Sequence, residues 1–305
     1  MSDYANAVLC EFGEDRLVAE LTRGLPTNDT VRVGVGDDCA VIGKPADAMW
    51  TLLKTDAVVE DIHFRPGEDM KRVGWKALCR TLSDIAAMSG WPEHALVTIA
   101  APPRMEVRQL RDFYIGLRKA GREFSTAIVG GETSRSPGPF FCSIALTGKV
   151  ERTRCLLRSG GKVGDAIYVT GRLGGSYMSG RHLSFTPRLE HSRWLTEGFR
   201  LHSMMDISDG LASDLPRLAQ ASGCGFEVQM DEIPRAPWTK LPEALTDGED
   251  FELLFTMDPA EGERLEPAWH KRFPSLPLTR IGTLVKRTRR TSNFALHGYD
   301  HFAQS

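Results

Sequence analysis

The stretch STAIVGGETSRSPGPFFCSIALTGKV, Ser125 to Val150, decides the fold class. Its two apolar, β-branched runs, STAIVGGE and FFCSIALTGKV, are separated only by a short polar turn segment rich in Ser, Pro and Gly, so one strand follows another with no helix between them. A doubly wound parallel sheet needs a crossover of about a dozen residues or more at each such junction. Working upstream, MEVRQLRDFYIGLRKAGREF predicts a helix and HALVTIAAP a strand. Before them, Leu78, Leu82 and Ile85 recur at helical spacing in DMKRVGWKALCRTLSDIAAMSG, which Gly90 and Pro92 stop, and AMWTLLKTDAVV is extended. Downstream, the Arg- and Gly-rich RTRCLLRSGGKVGD marks a boundary. After it, AIYVTG, SMMDI, GFEVQM and FELLFTM predict strands, and GLASDLPRLAQASG predicts a helix. The expected architecture is α+β in two domains, 1–150 and 151–305, the second with its sheet flanked by helices.

Composition narrows the function. The chain has 305 residues, 41% hydrophobic and 26% charged, with a net charge of -2, so nothing points to a nucleic-acid surface. The opening MSDYANAVLCEFGEDRL lacks a basic, apolar leader, and no run is long enough to span a bilayer, so no membrane partner and a cytoplasmic location are expected. Six cysteines without a CxxC pair fit reduced thiols. Neither GxGxxG nor GxxxxGK[ST] follows a strand, which sets aside the common nucleotide-binding loops.

Acids recur where apolar runs end: Asp37-Asp38 in VGVGDDCAVI, Asp56 in LLKTDAVVEDIHF, Asp84, Glu132 in VGGETSR, and Asp206 with Asp209 in MMDISDGLASDL. Taken singly, each has an ordinary reading: a solvated turn for Asp37-Asp38, a water-facing helix position for Asp84, and a helix cap for Ser208 or Asp209 ahead of Gly210. Taken together they describe a shared site. Two carboxylates about 4 Å apart repel by roughly 4 kcal/mol at an effective dielectric of 20, so such a set requires a cation. Oxygen-only ligands select magnesium or calcium, and magnesium usually shares its shell with phosphates. Phosphoryl transfer is the chemistry this favours.

Eight segments carry a resemblance. GVGDDCAVI, TDAVVEDIHF, KALCRTLSDIAAMSGWP, IVGGETSRS, LLRSGGKVGD, MDISDGLASDL, DGEDFELLF and GYDHFA stand in the order found in the thiamine-monophosphate kinase family. That family belongs with aminoimidazole ribonucleotide synthetase, selenophosphate synthetase and the hydrogenase factor HypE. The resemblance implies ATP-dependent phosphorylation of thiamine monophosphate to thiamine diphosphate with several Mg2+ ions. It also implies a homodimer whose N-terminal mixed sheets pair into a barrel near the ATP site. Position by position, it implies Asp38, Thr55, Asp56, Asp84, Glu132, Asp206 and Asp209 as metal ligands, and Gly131, Glu132, Arg158, Ser208 and Tyr114 beside ATP. His63, Glu249 and Tyr299 would form the thiamine monophosphate side. Asp209 and Arg158 would act on the transfer itself; Lys54, which departs from the family pattern, is expected to join them. The acceptor phosphate is already ionised, so no catalytic base is expected.

Three positions depart from the family pattern. Lys54 stands where a small hydroxyl is usual, and an ammonium cannot ligate magnesium. It shares a strand face with Asp56, so one magnesium fewer is expected, with Lys54 on Asp56 or on a phosphate. Asp247 replaces the first glycine of GGED, Glu132 replaces an aspartate, and the segment from Gly171 to Leu195 is short. Two other readings stay open: a related ATP-using enzyme with a different acceptor, and a nucleotide-binding paralogue without transfer activity. The chain lacks the cysteine-bearing tail of the hydrogenase factor and the glycine-rich Cys or Lys segment of the selenophosphate enzyme.

Overall fold

The computed structural model describes residues 8–291 and 294–302; residues 1–7 of the opening segment and Ala303 of the closing motif lie outside them. The first half runs α1 (Leu9–Phe12), α2 (Glu14–Leu21), β1 (Val31–Val33), β2 (Ala40–Ile42), β3 (Met49–Val59), α3 (Met70–Ala87), β4 (Trp91–Ala101), α4 (Val107–Glu123), β5 (Ala127–Arg135) and β6 (Phe141–Glu151). Its strands form one mixed sheet in the order β1-β2-β3-β6-β4-β5. β4 and β5 are parallel with α4 as their crossover, whereas β5 and β6 follow each other with no helix between them, as the 125–150 stretch predicts, and flank β4 on either side. The second half runs β7 (Ala166–Thr170), α5 (Ser176–Ser179), α6 (Leu189–Gly198), β8 (Leu201–Ile207), α7 (Leu211–Ala221), β9 (Cys224–Val228), α8 (Leu241–Thr246), β10 (Glu252–Met257), α9 (Pro259–Arg272) and β11 (Leu278–Lys286). These strands form an antiparallel sheet in the order β8-β10-β7-β11-β9.

One face of the first sheet is covered by α3 and α4. Val41, Leu52, Val97, Ile144 and Leu146 point inward and meet Leu78, Leu82, Ile85, Phe113 and Leu117. The opposite face is open, and Leu53, Leu96 and Val129 stand 38%, 50% and 58% exposed on it. α3 and α4 touch backbone to backbone: a Cβ at Gly74 would lie 1.9 Å from the Phe113 carbonyl oxygen, and one at Gly116 the same distance from that of Lys71. α3 is buried nearly all round, because its other side faces β8 and α6 of the second half. Across that junction Ser192 donates to the Ala86 carbonyl, and Arg193 forks onto Glu151 at 2.7 and 2.9 Å. Among the described residues no helix is long and apolar enough to cross a membrane, and Cys39, Cys79, Cys142, Cys155 and Cys224 are free thiols.

Candidate active site

The site forms where three breaks in apolar runs converge. Asp38 lies in the turn before β2, Asp84 on α3 and Asp206 near the end of β8, and their carboxylate oxygens come within 4.8 Å of one another. All three are buried. At that separation each ionised pair costs roughly 3–4 kcal/mol at an effective dielectric near 20. Three groups offset part of this. Arg158 donates to Asp38 through Nη2 at 2.6 Å and Nε at 3.2 Å, Lys54 Nζ sits 2.6 Å from Asp84, and Ser83 Oγ donates to Asp206 at 2.5 Å. The balance stays negative. Asp38 Oδ2 is buried without a hydrogen-bond partner, an acceptor oriented for a cation. Burial and then Asp38 push the carboxyls of Asp37 and Asp206 up to about 7, and burial holds Asp84 well above the usual range despite Lys54. Burial opposes the Lys54 charge, but Asp84 and Asp56 outweigh it and push its pKa up. Burial also raises Asp56, yet Lys54 and Arg80 leave it below the usual range. A buried, oxygen-only acidic set of this kind fits a hard divalent cation.

Several expectations change. Asp84 does not face water, because the second half covers that side of α3. Lys54 meets Asp84 rather than Asp56. Neither Ser208 nor Asp209 caps α7; the buried Asp214 carboxylate instead accepts their two backbone N–H groups at 3.0 Å each, which holds the turn. Asp209 pairs with Arg217 and stands outside the three-carboxylate cluster.

Beside the cluster is a cavity of about 260 Å³ lined by His63, Arg80, Ser208, Asp209, Glu249 and Tyr299, with Asp247, Tyr177 and His301 also at its wall. Five of the sequence-predicted residues, His63, Ser208, Asp209, Glu249 and Tyr299, therefore meet in one place. Glu249 is held by the fully buried Lys76, whose Nζ donates to its Oε2 and to the His63 carbonyl, both at 2.5 Å. The turn that presents Glu249 has non-glycine residues at positive φ, Glu249 at 54° and Phe251 at 52°, the sort of strain that concentrates at binding sites. His63 Nδ1 accepts from the Val59 N–H, which puts the proton of the neutral ring on Nε2. Asp247 accepts from the Gly175 N–H, tying the short 171–195 segment to the cavity rim. Tyr299 belongs to a strap fixed at both sides: its N–H donates to the Asp209 carbonyl, and Asp300 and His301 exchange bonds with Glu14.

The remaining residues lie elsewhere. Thr55 and Glu132 project from the open face of the first sheet, where Thr55 bonds Ser143 and Glu132 aligns with Thr98 and, through it, Ser143. Gly131 allows close strand pairing, since a Cβ there would lie 1.8 Å from the Val97 carbonyl oxygen. Tyr114 packs at the edge of the N-terminal core, 6.0 Å from Phe113, and lines neither cluster nor cavity. Sequence reasoning missed Lys76, Arg80 and Arg217. The available signal was the spacing of Lys76, Arg80 and Asp84, three charges at i, i+4 and i+8 along one helix.

Comparison with known proteins agrees with this architecture. Residues 36–150 match the N-terminal domain, and 162–291 the C-terminal domain, of AIR synthase related proteins. The thiamine-monophosphate kinase of Rhodopirellula baltica is 37% identical over 285 residues, covering 88% of this chain and 87% of the relative. That of Salmonella typhimurium is 33% identical, covering 90% and 93%. Among solved structures, "AaThiL complexed with AMPPCP and TMP" superposes with a TM-score of 0.81 at 28% identity, over 96% of this chain and 98% of the other.

Proposed function

The chain belongs to the thiamine-monophosphate kinase family of AIR synthase related proteins, and from that membership we propose that it transfers the γ-phosphoryl group of ATP to the phosphate of thiamine monophosphate, giving thiamine diphosphate. The observation that carries this reading is the placement of a buried acidic cluster and a largely apolar cavity one helical turn apart on α3. Asp38, Asp84 and Asp206 would hold magnesium, with Asp37 and Asp56 adjoining. When bound, the metal neutralises phosphate charge, which with positioning is most of what phosphoryl transfer requires. Arg158 sits on Asp38 with a planar fork suited to phosphate oxygens, so it can exchange one anion for the other as ATP enters. Glu249 and Tyr299 form a carboxylate and aromatic pair suited to a cationic ring, and His63 walls the same cavity. The acceptor phosphate needs no base, and an in-line approach follows if donor and acceptor phosphates meet between cluster and cavity.

Lys54 supports a lower metal count. Its ammonium already fills a cation's place against Asp84, so we assign this chain one magnesium fewer than a site with a hydroxyl at that position. The exposed Leu53, Leu96 and Val129 on the open sheet face support a homodimer paired through that face, which would bring Thr55, Gly131 and Glu132 to the interface and the nucleotide. We divide the chain into a nucleotide-binding and dimerisation domain, 1–150, and a domain that completes the substrate site, 151–305, and place the enzyme in the cytoplasm.

The test is to incubate purified protein with MgATP and either thiamine monophosphate or thiamine, then separate the products by chromatography. Thiamine diphosphate is expected from the monophosphate only. No diphosphate, with Mg-dependent ATP binding intact, would overturn the proposal in favour of a different acceptor or a binding-only paralogue.

A further inference from the structure

Arg80 helps Lys54 hold Asp56 below the usual carboxylate range and lines the cavity, and its surroundings give it a further role. It projects from α3 one turn after Lys76 and one turn before Asp84, about 6 Å along the axis from each. Lys76 holds Glu249 at the cavity, and Asp84 belongs to the acidic cluster, so Arg80 stands at the step between them. Its side chain lines the cavity. Its Nε and Nη1 are nevertheless buried with no hydrogen-bond partner, and the nearest anion, Glu249 Oε1, is 3.7 Å from Nη1.

The other cations described at the site are committed. Lys76 donates to Glu249 and the His63 carbonyl, Lys54 to Asp84, Arg158 to Asp38, and Arg217 to Asp209 and Asp214. Burial opposes the Arg80 charge, and Asp56, Glu249, Asp84 and Asp209 sustain it. A guanidinium at a cavity wall with N–H donors left unpaired is suited to an anion, and a tetrahedral phosphate is a natural partner for it. A substrate whose cationic ring lies against Glu249 and Tyr299 would present its ester phosphate at the level of Arg80, on the side facing Asp84.

We propose that Arg80 binds the phosphate of the acceptor and is the residue by which the cavity distinguishes a phosphomonoester from the free alcohol. This rests on the kinase reading. Arg80 touches the substrate without making or breaking a bond, and it draws a second phosphate towards the donor despite their repulsion.

The experiment is calorimetric titration of protein saturated with magnesium and the ATP analogue AMPPCP, with thiamine monophosphate and thiamine as separate titrants. It compares wild type, Arg80→Gln and Arg80→Lys. Wild type is expected to prefer the monophosphate. In Arg80→Gln, monophosphate affinity should fall by roughly 10- to 100-fold, the range commanded by charge-assisted hydrogen bonds, while thiamine binding stays within about threefold. In turnover the same variant should show a raised KM for the monophosphate with a smaller change in kcat. Arg80→Lys keeps the charge that Glu249 and Asp56 face, and it should recover part of the preference. If Arg80→Gln does not fold, Arg80→Lys decides: monophosphate affinity equal to wild type overturns the inference. Variants that discriminate as well as wild type overturn it while leaving the kinase reading intact. Wild type that binds neither compound overturns the kinase reading and the inference with it.

Discussion

His63 is held neutral throughout the physiological range. Burial, then the charges of Arg80 and Lys76, pull its pKa down to about 2. Its ring should therefore keep the Nε2-protonated tautomer from pH 5 to 8, readable from imidazole nitrogen shifts in an NMR titration; a midpoint in that range would show that the cavity is wetter or less positive. For stability the sign follows from proton counts. Below about pH 6.5 the unfolded chain takes up a proton at this position and the folded chain does not, so His63 lowers stability as pH falls from about 6.5 towards 2. A His63→Gln variant should thus show a shallower acid slope of its urea midpoint. Lys54→Ser should raise the number of divalent ions bound with AMPPCP by one, counted by manganese binding, and an unchanged count would show that Lys54 replaces none. At this scale the acids were legible, because a carboxylate at the end of an apolar run is conspicuous. Arg80 and Lys76 were not, because a charge on a helix reads as solvated until both sides of that helix are known to be covered.

α3 is the element on which the site depends, since Lys76, Arg80, Ser83 and Asp84 all project from it. Its position is set by the contact at Gly74 and Gly116, where neither helix has room for a methyl group. Gly74→Ala should cost about 1–3 kcal/mol in urea unfolding, the usual range for overpacking, and should weaken thiamine monophosphate and metal binding together. Loss of stability with both affinities unchanged would show that α4 yields and α3 stays. α3 was legible from the period of its apolar residues, and β3 from a run that is apolar and extended. α9 was not read from the sequence: Gly262 and Pro267 lie inside it, and only Gly262, Leu265 and Trp269 are buried. β11 was hidden by a bulge between Arg280 and Gly282, which breaks the alternation that identifies a strand.

In the whole molecule, the acidic cluster lies between the two halves. Asp38 and Asp84 come from the first, Asp206 from the second, Arg158 of the second half forks onto Asp38, and Ser83 Oγ reaches across to Asp206. Without metal the cluster repels itself, so Asp206→Asn should raise the melting temperature of the metal-free protein while abolishing turnover; a lower melting temperature in EDTA would mean that the Ser83 bond outweighs the repulsion. Dimerisation through the open sheet face makes its own prediction. Light scattering should give twice the chain mass, and Leu96→Glu together with Val129→Glu should give a monomer. The α+β class could be read from adjoining strands, but the convergence of cluster and cavity could not, because it depends on how the second sheet packs against α3.

The strap at 298–302 carries one more consequence. Tyr299 and His301 wall the cavity, yet they follow every strand of both sheets in the chain, and Asp300 and His301 are anchored to Glu14 near the other end of the described chain. A ribosome therefore delivers this wall after the residues of the acidic cluster and the sheets that carry them. During synthesis the nascent enzyme can gather its charged centre first and shape the cavity for its small substrate last.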